Sequence, residues 1–539
     1  MKANAQLQQF KKCLILFTVG ITCSALAYAI YVINPIKVIV EQKLKMAPGT
    51  LVFSLWEKPP VDIYIKVYIF NITNPNEFIA GTEKLRVEEI GPYVYQEMLE
   101  NNNITWNPNG TISYRPKRLV YFVPEMSVGD PKDAILRVPN IPLLGVASAL
   151  YDSSSFVTVP LSGFIELLDS KTILNITAYD YLWGYDDTLV HLASNLVPNF
   201  VNFRKFGLMD RLYDEGDNLM TMNIKKNENM TDEDGRYLSI EVLNGNPGLS
   251  NWGWVQTEAN KTNPSNTKCN RLRGSTEGTL FPPNLDKHAV FRVYRKAFCR
   301  TLPIHFIKEV TTESGLPGYM YNFVDDFLDP PDVNPDNECY CRGKKKCLKM
   351  GLSDMTPCYY NVPVTMSMPH FYKADPSLLE AVDGLRPDEE RHDTKIILQP
   401  EVGIPLHVNS RMQTNLVMEN VQWSERIKPF NDLTIPLIWT DLFIPELPSD
   451  LILLLRLGLQ IIPVVQTVVI SILGVIGVTT FIFSLLKTVR IVHQQAEEDS
   501  KGEDSNDLKI SLGYGQYSSI RILPAIKKIT SRTDLFAKG

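Results

Sequence analysis

The sequence predicts an α+β protein: a large β-rich body with a small helical subregion, tethered at both ends by membrane-crossing helices. Three observations predict it. Two long uncharged apolar segments lie near the termini, short alternating apolar runs fill most of the space between them, and longer apolar runs cluster at 140–206. The chain has 539 residues, 44% hydrophobic and 21% charged, which is enough to bury a sizeable core. A formal net charge of −6 without a dominant basic stripe argues against a nucleic-acid partner.

Residues 1–12 read as a cytosolic N-terminus. Residues 13–33, CLILFTVGITCSALAYAIYVI, are long enough to cross the hydrocarbon as one helix. The rival is a cleaved signal peptide, but the run exceeds a usual signal core and lacks well-placed small residues after it. Residues 457–486, LGLQIIPVVQTVVISILGVIGVTTFIFSLL, form the second span; its rival is a buried core helix. Lys2, Lys11 and Lys12 before the first span, and Lys487 and Arg490 after the second, put both termini in the cytosol. Lys37, Lys43 and Lys45, just beyond the first span, blur that signal.

Two features settle the side on which 34–456 lies. Asn71, Asn103, Asn109, Asn175, Asn229 and Asn260 each begin an Asn-x-Ser/Thr sequon, and all fall between the spans. Apart from Cys13 and Cys23 in the first span, the cysteines are Cys269, Cys299, Cys339, Cys341, Cys347 and Cys358. An even, clustered set in an oxidising compartment reads as a disulfide framework across 269–358, with zinc as the rival in a cytosolic chain. Residues 34–456 are thus an extracellular or lumenal ectodomain.

Within it, 61–69 alternates at period two as a half-buried strand, and 119–123 is a second strand candidate. Gly91-Pro92 and Asn74-Pro75 read as turns. Residues 141–150, 156–168 and 180–196 supply the helical subregion, although Pro160 and Gly163 weaken a helix over the second run. Its apolar side chains are either core or an exposed surface that meets a ligand. Residues 227–270 are loop-like, while 287–325 and 362–440 are again β-rich. No solenoid or propeller repeat is present. The tail, 487–539, carries acidic Glu497, Glu498, Asp499, Glu503 and Asp504 between basic flanks that could touch anionic lipid; a solvated tail is the plainer reading. Tyr517 to Ile520 has the form of a tyrosine-based sorting signal. Cys13, at the cytosolic edge of the first span, is either a palmitoylation site or a buried thiol.

The chain has no G-x-S-x-G elbow, H-E-x-x-H helix, P-loop or Gly-rich dinucleotide turn. His370 reads as a satisfied structural histidine. Asp325, Asp326 and Asp329 beside two prolines read as a solvated loop rather than a cation site. The expectation is no enzyme, no cofactor and no metal.

Several short pieces carry a more specific likeness: Ala47-Pro-Gly-Thr50, Phe70-Asn-Ile-Thr-Asn-Pro75, Glu89-Ile-Gly-Pro-Tyr93, Leu182-Trp-Gly-Tyr185, Phe281-Pro-Pro283, Phe298-Cys-Arg300, Asp336-Asn-Glu-Cys-Tyr-Cys341, Met368-Pro-His-Phe371, Asp383-Gly-Leu385 and Pro436-Leu-Ile-Trp439. In this order, between two terminal spans and around six cysteines, the chain resembles the class B scavenger receptor family. The resemblance implies a β-barrel-like ectodomain, an apical helical bundle at about 140–206, and an internal hydrophobic tunnel towards the bilayer. It also implies the pairings Cys269–Cys339, Cys299–Cys358 and Cys341–Cys347, the last closing a loop over 342–346. Phe156, Leu161, Phe164, Ile165 and Leu168 become candidates for the ligand entrance. The family's scavenging members carry a basic apical helix; here Glu166 and Asp169 face only Lys171, which disfavours anionic particles as ligands.

The function this implies is a receptor that binds fatty acids, sterols, carotenoids or lipoprotein lipid and passes them through the tunnel towards the membrane. The alternative is a recognition or adhesion receptor for a protein, pathogen or apoptotic-cell partner. The expected location is the plasma membrane or an endolysosomal membrane. A homo-oligomer, and sorting adaptors at the tail, are further partners the chain could have.

Overall fold

In the computed structural model the described residues are 2–510, without 197, 199, 200, 214–215, 226–235, 259–260 and 342–346; side chains are described for 7–497 outside those gaps. Asn229, Asn260, the 342–346 loop, Tyr517 and Ile520 lie outside the described residues.

The chain divides into two units, 1–36 with 463–539, and 37–462. In the first, helix Lys2–Ile33 packs on helix Ile462–Ile510. Two apolar stretches, Leu7–Lys43 and Ser449–Glu497, are long and apolar enough to cross a membrane. Small residues bring the two helices together: a Cβ on Gly477 would lie 2.4 Å from Ser24 Oγ, and one on Gly20 would lie 2.9 Å from the Phe481 amide. Phe17 and Phe481 touch ring to ring at 5.2 Å, and Ser484 Oγ donates to the Cys13 carbonyl at 2.8 Å.

The second unit is built on a 14-stranded sheet. Its main path runs Phe291–Arg295, Arg300–Thr311, Pro317–Phe323, Lys395–Leu398, Pro405–Val417, Thr434–Ile444, Ile63–Ile72, Leu85–Asn107, Thr111–Phe122, Met220–Asn223, Ile240–Leu243. Every pairing along that path is antiparallel. Alternation puts Ile63, Ile65, Val67 and Ile69 of one strand in the core. The two end strands of the path are both hydrogen-bonded by one short segment. Ile240 N donates to Ser275 O at 2.7 Å and Gly274 N to Ile240 O at 2.9 Å; on the other side Thr276 N donates to Arg292 O and Tyr294 N to Thr276 O, each at 2.8 Å.

Helices Ile141–Ala149, Ser155–Leu167, Ala178–Trp183 and Thr188–Leu196 occupy the 140–206 stretch. Asn140 caps the first by accepting from Leu143 N at 3.1 Å. Ser155–Leu167 is a helix despite Pro160. Phe156, whose carbonyl loses its partner to the proline, is 93% exposed, so water can take that bond. The Gly91-Pro92 expectation is corrected. The pair lies inside strand Leu85–Asn107, not at a turn, because Val67 pairs with Tyr93 and Ile69 with Ile90. Two residues therefore oppose one, a β-bulge that tolerates proline. Gly91 has φ 150 and a Cβ there would lie 2.8 Å from the Val67 carbonyl. Asn74-Pro75 begins the short helix Pro75–Ile79.

Candidate functional site

Two strands of the sheet, paired in register, define the site. Val408 faces Ile444, Ser410 faces Leu442, Met412 faces Thr440 and Thr414 faces Ile438. Period-two alternation puts the even-numbered residues of both on one side. Val408, Ser410, Leu442 and Ile444 line a first cavity, which encloses about 930 Å³ with its open mouth included. Its remaining wall is mostly apolar, with Leu55, Ile63, Phe281 and Ile404 among it. Ser410, Met412, Thr414, Thr440 and Leu442 line a second cavity of about 550 Å³, again with its mouth included, together with Met355 and Met366. Arg295, Phe298, Ser410 and Leu442 belong to both walls. The cavities thus follow one another along the strands. From Val408 to Thr414 the wall extends about 20 Å at the usual strand rise.

Charge enters the wall that the two cavities share at Arg295. Glu97, on strand Leu85–Asn107, has a fully buried side chain and is hydrogen-bonded by Arg118. Arg295, at the end of strand Phe291–Arg295, reaches the same carboxylate from the other end of the strand order, with Nη2 at 3.1 and 3.3 Å from its two oxygens. Burial works to raise the Glu97 pKa, but the Arg295 and Arg118 charges and hydrogen bonds outweigh it and hold the carboxyl below its ordinary value.

A second cluster lies at Glu89, His370 and His392, whose ligand atoms sit within 4.8 Å of one another, a spacing a metal could use. The hydrogen bonds argue against a metal. Arg386 N donates to His370 Nδ1 at 3.0 Å and Asp388 N to His392 Nδ1 at 2.9 Å. Each neutral ring then carries its proton on Nε2, leaving no lone pair there for an ion. Instead Glu89 is satisfied by His370 Nε2 at 2.6 Å, Trp439 Nε1 at 2.8 Å and Arg391 Nη2 at 2.7 Å. His370 and His392 stack at 4.5 Å.

The sequence-predicted residues separate. Phe156 is exposed, as are Phe164 and Leu168, while Leu161 is half-buried against the core and Ile165 is buried at 1%. None of the five is among the residues that line the two cavities. Asp169 pairs with Arg426 at 2.9 Å. Asn103, Asn109 and Asn175 are exposed; Asn71 is half-buried, its side-chain oxygen accepting from Arg137 N at 2.9 Å. Disulfides join Cys269 to Cys339, Cys299 to Cys358 and Cys341 to Cys347. Sequence reasoning missed Glu97, Arg118 and Arg295. A faint signal was present: Glu97 sits in phase with Tyr95 and Leu99, the buried side of its strand.

The sequence model of the CD36 family matches residues 13–488. The chain belongs to the CD36 family. Among family relatives, scavenger receptor class B member 1 of Sus scrofa is 30% identical over 424 residues, 78% of each chain. Lysosome membrane protein 2 of Homo sapiens is 31% identical over 383 residues, 71% of this chain and 74% of the relative. Protein peste of Drosophila melanogaster is 28% identical over 405 residues, 74% of this chain and 69% of the relative. The likeness to class B scavenger receptors therefore holds across most of the chain, and membership fits the two membrane-length helices and three disulfides.

Proposed function

We propose that this chain is a lipid receptor whose ectodomain is a closed β-barrel around a passage for one lipid at a time. The observation that carries the reading is the pair of cavities that share Arg295, Phe298, Ser410 and Leu442. The hydrogen bonds of 274–276 to both end strands support closure of the barrel. The exposed Phe156 and Phe164 of helix Ser155–Leu167, with Leu168 that caps it, supply an apolar landing surface. A lipid tail left in water loses about 0.8 kcal/mol per methylene, and a continuous apolar wall removes that cost along the path. No bond is broken in this reading, so no catalytic group is needed.

The test is lipid extraction and mass spectrometry on the purified full chain, beside a Ser410→Trp variant that fills the shared wall. The expected result is a near-stoichiometric fatty acid, sterol or carotenoid on the wild type and its loss from the variant. Equal lipid on both would remove the passage. A protein or cell-surface partner bound equally well by both would favour the recognition receptor.

A further inference from the structure

Arg295 is an unusual wall residue for a path built to carry hydrocarbon. It spends one nitrogen, Nη2, on Glu97. Its Nε and Nη1 make no hydrogen bond with any described residue, although both carry N–H donors. Its side chain is 12% exposed, and neither donor is among the fully buried unpartnered atoms, so both stay within reach of whatever fills the adjoining cavities. Ser410, also in the shared wall, adds a hydroxyl beside it. Glu97 takes only Nη2 of Arg295, and Arg118 holds the same carboxylate from the other side.

The two cavities differ in what they would accept around this point. The first contains Glu277, whose charge opposes an anion, and is otherwise mainly apolar. The second is lined by no carboxylate; Thr414, Thr440 and Tyr213 add hydroxyls to its wall, and Met355, Met366 and Met412 add adaptable apolar surface. An amphiphile crossing the shared wall would therefore place its tail in the first cavity and an acceptor-rich head in the second.

We propose that Arg295 is a specificity-determining anchor: with Ser410 it holds the carboxylate of a long-chain acid at the junction of the two cavities. This rests on the passage reading above. Charge-assisted hydrogen bonds in a water-poor site are the strong ones, so a carboxylate gains there what an ester of the same tail cannot. The site thus ranks lipids by head group, whereas the apolar wall ranks them only by tail.

The test measures equilibrium binding of a saturated sixteen-carbon fatty acid and of its methyl ester to the full chain in lipid nanodiscs. The wild type is expected to hold the acid at least about tenfold more tightly than the ester. Arg295→Gln is expected to bring the affinities for acid and ester together, while Glu97 keeps Arg118. If Arg295→Gln fails to fold, Ser410→Ala, which removes the second anchoring donor from the shared wall, is read instead and is expected to narrow the preference. Equal affinity for acid and ester in the wild type overturns the anchor and leaves the passage intact. A preference that survives Arg295→Gln in folded protein also overturns it. If neither lipid binds the wild type, the passage reading falls and the anchor with it.

Discussion

Glu97 and Glu89 use the same device to different ends. Each is a carboxylate held by two basic groups in the interior or near it. Around Glu89 every donor that reaches the carboxylate is matched, two histidine rings stack behind it, and Arg391 opens to solvent with a side chain 57% exposed. Around Glu97 both arginines are nearly dry, and one of them keeps donors that face a cavity. The Glu89 cluster fixes geometry, with His392 Nε2 its one buried atom left without a partner among the described residues. The Glu97 cluster differs in standing beside the two cavities, where Arg295 has capacity left for a ligand.

Removing each carboxylate should therefore break the molecule to different degrees. Glu97→Ala strands two buried guanidinium groups and is expected to cost about 3–5 kcal/mol in denaturant unfolding. Glu89→Ala should cost less, about 2–3 kcal/mol by the same measurement, because Arg391 can turn to water. Equal losses would mean that exposure of Arg391 does not matter.

Acid should act on the Glu89 cluster first. Burial, with His370 beside it, holds His392 down to about 4. The unfolded chain takes up that proton near the ordinary histidine value of 6.5, so between 6.5 and about 4 the unfolded state binds more protons and stability falls as pH falls. At pH 5 the loss from His392 is about 2 kcal/mol. Glu89 is different. Burial would raise it, but hydrogen bonds from His370, Arg391 and Trp439 prevail and hold it at about 2, so its contribution is lost only below the ordinary carboxyl value of 4.5. Melting curves from pH 7 to 5 should therefore show a decline that a His392→Gln variant lacks. The smallest effect belongs to the surface: Phe156→Ser should change stability by no more than about 0.5 kcal/mol while lowering lipid uptake. Unchanged uptake would take the landing surface away from helix Ser155–Leu167.

The elements with a strong local period were legible. Alternation at 61–69 marks the strand Ile63–Ile72, and the uncharged terminal runs mark the two long helices. The helix over Ser155–Leu167 was harder, because Pro160 and Gly163 speak against it locally while burial of Thr158 and Ile165 decides for it. Gly91-Pro92 misled for the converse reason: a turn dipeptide also suits a bulge, and only the partner strand tells them apart. The cavity wall was not legible. Ser410, Leu442 and Arg295 are brought together by pairings between strands far apart in the chain, and no linear pattern joins them. Entrance candidates drawn from likeness mixed both faces of one helix, exposed Phe156 with buried Ile165.

The short segment 274–276 has a consequence for how this protein keeps to itself. A sheet path of this length ends in two strands whose free amides and carbonyls would template pairing with a neighbouring chain. Residues 274–276 occupy those groups on Ile240, Arg292 and Tyr294. Loosening these three residues would leave a crowded membrane surface seeded with sticky edges, so their hydrogen bonds guard against aggregation as well as holding the architecture together.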